Sequence, residues 1–322
     1  MTTPSNPMPE SVESQRTTPA AVPETRPLYW SVRRELWENR SIYIAPLAVA
    51  AIGILGFLIS LIHLPRTIRE LGTMTPVHQH AMGPVNQHGT LAMPYAHVAW
   101  LVVLTAFIVG VFYSLDAMHG ERRDRSILFW KSLPVSDLTT VLSKASIPLV
   151  VLPLLVFAII LITELLMLLL STAVLVISGV GTATLFEQLP WLQLQLVLLY
   201  SLIVMALWYA PIYGWLLFIS GWARRTTFLW AVLPLVAITV LERIAFNSSH
   251  FAHLLVYRSI GWFMQAFTLD THGGPPIDPH YLPLAQLTPG RFLSSPGLWV
   301  GLAVAAGFLA AAVRLRRYRE PI

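Results

Sequence analysis

Between Ile147 and Ser178 the chain reads IPLVVLPLLVFAIILITELLMLLLSTAVLVIS, with one ionisable side chain, Glu164, in the whole stretch. Roughly 20 consecutive apolar residues suffice to carry a helix across the hydrocarbon core of a bilayer. Five further apolar runs accompany it: Ile42–Ile62, Tyr95–Leu115, Trp191–Trp222, Phe228–Leu241 and Gly297–Val313. They explain a composition that is 55% hydrophobic and 11% charged, with mean hydropathy +0.64, where soluble domains carry about 25% charged residues. Within lipid each backbone N–H and C=O must be satisfied inside the spanning segment, which favours helices. The expectation is an all-α polytopic membrane protein with six transmembrane helices.

The third and fourth runs exceed one crossing and so call for tilt, a kink or extension beyond the bilayer. Pro148, Pro153 and Pro211 are kink candidates, since a neighbouring helix can satisfy the carbonyls that proline frees. The fifth run is short, and Thr226 and Thr227 before it and Ile244–Phe246 after it are available to lengthen it.

Orientation follows the distribution of Lys and Arg. One set of flanking segments holds Arg26, Arg33, Arg34 and Arg40, then Arg122, Arg123, Arg125, Lys131 and Lys144, then Arg224 and Arg225, and finally Arg314, Arg316, Arg317 and Arg319. The alternate segments hold Arg66, Arg69, Arg243, Arg258 and Arg291. Fifteen against five places the first set, and both ends of the chain, on the cytoplasmic side of a cell (inner) membrane. The net charge of +5 is thereby explained by topology, and nucleic acid is not expected as a partner. With no cysteine there is neither a disulfide framework nor a thiolate metal site.

Residues 1–26 are rich in Pro, Ser and Thr and lack an apolar core, which reads as a disordered cytoplasmic tail rather than a signal peptide. Residues 27–322 then form one membrane domain. At its start, Leu28, Val32 and Leu36 recur at helical spacing while Arg33, Arg34, Glu35 and Glu38 spread over other faces, and Trp30 and Trp37 suit the headgroup zone. An interfacial helix touching membrane lipid is expected; a plain extension of the first span is the alternative.

The loop 116–146 is unusual for a simple turn. A charged patch, Glu121–Arg125, precedes an apolar knob, Ile127, Leu128, Phe129 and Trp130, then Lys131, Pro134 and a new helix start capped by Ser136. Four bulky apolar residues in a row call for a partner surface, unless the loop rests on the bilayer. The stretch ERRDRSILFWKSLPVS followed by Lys144 resembles the cytoplasmic coupling loop of ABC-2-type exporter permeases. Interfacial helix, six spans and a long extracytoplasmic segment (243–296) before the last span are similar in outline to that family. The resemblance implies a half-transporter that pairs with a second copy or a paralogue and docks on a separate ABC ATPase. ATP and Mg would sit on that ATPase, because this chain has no G-x-x-x-x-G-K-[ST] phosphate loop. It also implies that Glu121, Arg122, Arg123, Arg125, Ile127, Leu128, Phe129, Trp130 and Lys131 contact the ATPase, and that short re-entrant helices precede the last span.

Other candidates lie elsewhere. Glu164, inside the third span, either marks a substrate pathway or is a structural carboxyl bonded to a neighbour such as Thr163 or Thr172. Most of the ten histidines fall in the alternate loops, with His78 and His80 at i, i+2 and His250 and His253 at i, i+3. No H-E-x-x-H or carboxylate-rich context accompanies them, so no metal site is assigned. Residues 243–267 are too polar to span and too apolar for a free loop, which suits a re-entrant or surface-lying helix pair. Small residues form two rows in the last span, Gly297, Gly301, Ala305 and Ala303, Gly307, Ala311, allowing close helix approach within the monomer or across a dimer. No catalytic motif is present, so an intramembrane enzyme is not expected. The alternative to a permease is a membrane scaffold or metal-responsive sensor using the histidine-bearing loops.

Overall fold

The computed structural model describes residues 26–73, 76–124, 135–268 and 284–318. It is helical throughout apart from one antiparallel bridge between Phe267 and Leu287. Twelve helices are described, α1 (Pro27–Glu38), α2 (Ser41–Ser60), α3 (Leu64–Thr73), α4 (Pro76–Asp116), α5 (His119–Arg123), α6 (Asp137–Ile177), α7 (Ala183–Gln188), α8 (Trp191–Trp222), α9 (Thr227–Phe246), α10 (His250–Ala266), α11 (Pro289–Ser294) and α12 (Pro296–Tyr318). Six of the segments are long and apolar enough to cross a membrane: α2, Leu91–Arg123, α6, α8, α9 and α12.

The boundaries differ from hydropathy where polar residues extend a helix past its apolar run. α4 begins at Pro76, well before the apolar stretch at Tyr95, because hydropathy marks the membrane-embedded part and not the helix end. The fifth span, α9, extends at both ends of its apolar run, to Thr227 and Phe246, and each flank carries a left-handed non-glycine residue, Thr226 (φ 44) and Asn247 (φ 48). α6 starts at a capped turn in which Ser136 Oγ accepts from Thr139 N at 3.0 Å. It then passes through a π-turn at Ile147–Val151. Pro148 and Pro153 have no N–H to donate, so the regular ladder cannot continue there, and the wider turn absorbs the break.

α8 is the central post. Its length lets it meet α4 and α6 on one side and α12 on the other, and its buried face includes Leu198, Val204, Trp208, Tyr213, Leu217 and Ile219. Between α2, α4, α6 and α8 lies an apolar core of Ile42, Ala50, Val102, Ala106, Ile147, Val156, Ile160 and Leu202, against which Val32 and Leu36 of α1 pack. α9 sits at the edge, with Ala231 its one buried residue.

Helices that cannot gain from the hydrophobic effect in lipid associate through close packing. α8 and α12 meet where Gly214 faces Ala305, and a methyl on Gly214 would lie 3.3 Å from the Ala305 backbone. The row Gly297, Gly301, Ala305 is thus used inside the monomer, whereas Gly307 of the second row has open space around it. Gly214→Val places a branched side chain in this seam, and overpacking costs about 1–3 kcal/mol. A lowered unfolding temperature in detergent is expected for Gly214→Val, while Gly307→Val, in open space, should leave it near wild type.

Candidate functional site

α1 lies against the end of the bundle where α5, α6 and α12 meet. The sequence pattern sets Glu35 on a face away from the apolar residues, yet on the helix it falls beside Leu28 and Val32, so packing that apolar face draws a carboxylate inward. Glu35 is 1% exposed. A buried charge of this kind needs a partner, and Lys144 of α6, 2% exposed, supplies it: Nζ donates to Glu35 Oε1 at 2.9 Å. The same ammonium stands 3.0 Å from Glu121 Oε1 of α5.

Around this pair a knot closes. Arg34 Nη2 donates to Glu35 Oε1 at 2.7 Å and to Glu121 Oε1 at 2.9 Å. Arg316 of α12 donates through Nη1 to Glu121 Oε2 at 2.6 Å, and its Nε lies 3.3 Å from Asp137 Oδ1 at the start of α6. Tyr113 of α4 donates its hydroxyl to the remaining oxygen of Glu35 at 2.8 Å. Three carboxylates, Glu35, Glu121 and Asp137, thus meet three cations, Arg34, Lys144 and Arg316, and Arg34 Nε also stands 3.5 Å from the more exposed Glu38 Oε1. Burial alone would pull Arg34 down, but the surrounding Glu35, Glu38 and Glu121 outweigh it and hold its guanidinium above its ordinary value.

α5 is pinned a second way. Ser220 Oγ, fully buried near the end of α8, accepts from Met118 N and His119 N at 3.0 Å each. Arg122 Nη1 returns the contact by donating to Gly221 O at 2.7 Å and Ala223 O at 3.2 Å, which satisfies carbonyls left open at that helix end.

The residues singled out in the sequence therefore divide. Glu121 and Arg122 are buried and turned into the bundle. Arg123 is 62% exposed and paired with Asp124 at 3.1 Å. Arg125, Ile127, Leu128, Phe129, Trp130 and Lys131 lie outside the described residues. Beside the knot opens a cavity of about 750 Å³ lined by Ser136, Asp137, Leu138, Arg314, Arg317 and Tyr318 among others. Glu35, Tyr113, Ser220 and Arg316 were not singled out. For Glu35 the available signal was a carboxylate on the apolar face of an amphipathic helix.

Glu164 is 1% exposed and accepts from Gln195 Nε2 of α8. Thr163 and Thr172 instead return their hydroxyls to carbonyls of their own helix, Ile159 O and Leu168 O. Nearby, the Tyr95 hydroxyl and Ser171 Oγ lie 3.0 Å apart, joining α4 to α6. The structure thus puts Glu164 in a helix–helix contact.

Among the described residues no group of three His, Asp or Glu side chains is arranged to hold a metal ion. The side chains of His78, His80 and His88, and residues His272 and His280, lie outside the described set. Comparisons with protein-family models, with curated proteins and with solved structures find no match.

Removing one partner of a buried ion pair costs about 3–5 kcal/mol, because the other charge is left uncompensated. Lys144→Met should therefore lower the unfolding temperature sharply and expose α1 to protease. Adding Glu35→Gln balances the charges again and should recover part of the loss; no recovery would mean that Lys144 acts by packing alone.

Proposed function

We propose that this chain is the permease subunit of an ABC exporter, coupling ATP hydrolysis on a separate ATPase to outward movement of a substrate. The observation that supports the reading is the anchoring of the segment that leads into 125–134. Through Glu121 and Arg122 it is tied to α1, α6, α8 and α12 at once. A push delivered at such a loop reaches the ends of several spans together, which is what a coupling element requires.

In this reading Glu121 and Arg122 are struts rather than contacts. The docking surface is made by Arg123, Arg125, the knob Ile127–Trp130 and Lys131, with exposed Arg314 and Arg317 at its edge. The knot end faces the cytoplasm of a bacterial cell, with both chain termini on that side, in keeping with the excess of Lys and Arg there. ATP and Mg reside on the ATPase, and a second permease copy or a paralogue completes the transporter.

Replacing Ile127, Leu128, Phe129 and Trp130 with Ser should abolish co-purification with the ATPase while leaving the unfolding temperature near wild type. Unaltered co-purification would remove the docking role of the knob. Because the chain has no native cysteine, single cysteines at His88 and Ser126 give clean labelling. Membrane-impermeant reagent should reach them from opposite sides, and labelling from one side would overturn the topology.

A further inference from the structure

Arg258, in the middle of α10, has no carboxylate within 4.0 Å among the described residues. Its surroundings come from two spans. The guanidinium lies 4.6 Å from the ring centroid of Trp208 on α8, a cation–π contact, and Nη1 donates to Gly297 O of α12 at 3.0 Å. The backbone of α10 is tied to α8 at this point, since Trp208 Nε1 donates to Arg258 O at 2.9 Å and Tyr209 Oη to Ser259 O at 2.7 Å. The glycines of α12 make room for the side chains: a methyl on Gly301 would lie 2.0 Å from Arg258 Nη2, and one on Gly297 would lie 2.8 Å from Tyr257 Oη.

Two of the guanidinium nitrogens, Nε and Nη2, are covered by protein and have no hydrogen-bond partner. Their N–H groups point the same way along one edge of the plane. That edge is the fork with which arginine holds a carboxylate or a phosphate by two parallel hydrogen bonds. A half-buried cation with no carboxylate beside it among the described residues, and two covered donors without acceptors, both call for an explanation beyond packing. An aromatic face and one carbonyl partner use the rest of the group and leave the fork alone.

We infer that Arg258 is an oxyanion-binding residue, whose Nε–Nη2 edge takes two oxygens of a carboxylate or phosphate when α10 moves away from Gly301. In the present conformation the backbone of α12 covers the fork. A small displacement of α10 from the glycine row uncovers it while the Trp208 contact still orients the plane. Arg258 and the knot lie at opposite ends of α12: Gly301 and Arg316 are fifteen residues apart, about 22 Å along a helix. The site is therefore separate from the proposed docking surface, and its test does not depend on the ATPase.

The full chain in nanodiscs of neutral lipid can be titrated with dioctanoyl phosphatidate, with dioctanoylglycerol, which lacks the anion, and with inorganic phosphate. Saturable phosphatidate binding is expected, weakened at least tenfold in both Arg258→Gln and Arg258→Lys, since lysine keeps the charge and loses the fork. Dioctanoylglycerol should not bind. Binding of phosphatidate alone identifies a lipid headgroup as the source, whereas Arg258-dependent binding of inorganic phosphate as well identifies a free anion. Equal affinity in wild type and Arg258→Gln, or no saturable binding of either anion, overturns the assignment. Should the Arg258 variants fail to fold, Gly301→Ala decides: it displaces Nη2 from its cover and should tighten binding, and unchanged or weaker binding counts against the fork.

Discussion

Lys144 is the pivot of the molecule. Its ammonium sits between two carboxylates from different parts of the chain, Glu35 and Glu121, and is almost completely buried. None of the three could be buried alone, because an isolated charge in a low-dielectric interior is far too costly. Each is acceptable only when the others arrive in register. α1 therefore cannot seat its Val32–Leu36 face without presenting Glu35 to Lys144, and α5 cannot turn back on α8 without presenting Glu121 to Arg34 and Arg316. A buried ionic network is weak evidence of added stability, since apolar side chains of like volume often do as well. Its effect here is to make one arrangement of four elements depend on every member.

The rest of the bundle is held by a different physics. In lipid an apolar side chain gains little by moving from acyl chains to a neighbouring helix, so close backbone approach and a few polar contacts carry the association. Gly214 on Ala305, Gly53 on Val98 and Gly110 on Tyr213 and Leu152 are such approaches. Tyr95 with Ser171 and Glu164 with Gln195 are the polar contacts, each joining two spans. The peripheral α9 has no glycine seam and buries Ala231 alone, held to α8 where Trp215 Nε1 donates to Ala231 O at 3.1 Å and Trp230 meets Trp222 edge-on.

This division explains what could be read from the sequence. The six spans were legible because a bilayer imposes one length and one composition on every crossing, and runs such as Trp191–Trp222 match the helix end to end. The cap at Ser136 and the break at Pro148 were legible because both act within one or two turns. The knot was not. Its pairs are separated by 87, 109 and 195 positions, and nothing local distinguishes a lysine that marks topology from one that closes a buried network. In the sequence Lys144 and Arg316 read only as charges that orient the spans. A charge on the face that carries Val32 was the one visible clue. The small-residue row at Gly297 was visible too, but its occupants, Tyr257 and Arg258, are brought there by a turn of chain that the pattern alone does not predict.

The position of the knot also says how motion would pass through the bundle under the coupling reading. Breaking one buried pair costs about 3–5 kcal/mol. α1, α5 and the adjoining ends of α6 and α12 should therefore move as one piece instead of separating. A rigid piece needs a compliant joint next to it, and α6 has one: the π-turn Ile147–Val151 begins three residues after Lys144, contains Pro148 and is followed by Pro153. A π-turn with proline nearby is a site where a helix can bend without losing a whole turn of hydrogen bonds. On the other side of the knot, α8 and α12 meet closely where Gly214 faces Ala305, and Phe308 of α12 packs on Trp215 and Phe218 of α8 with ring centroids 5.3 and 5.9 Å apart. Under the coupling reading, a stiff charged end and a proline-linked hinge in α6 would turn a push at 125–134 into a tilt of spans rather than local unfolding.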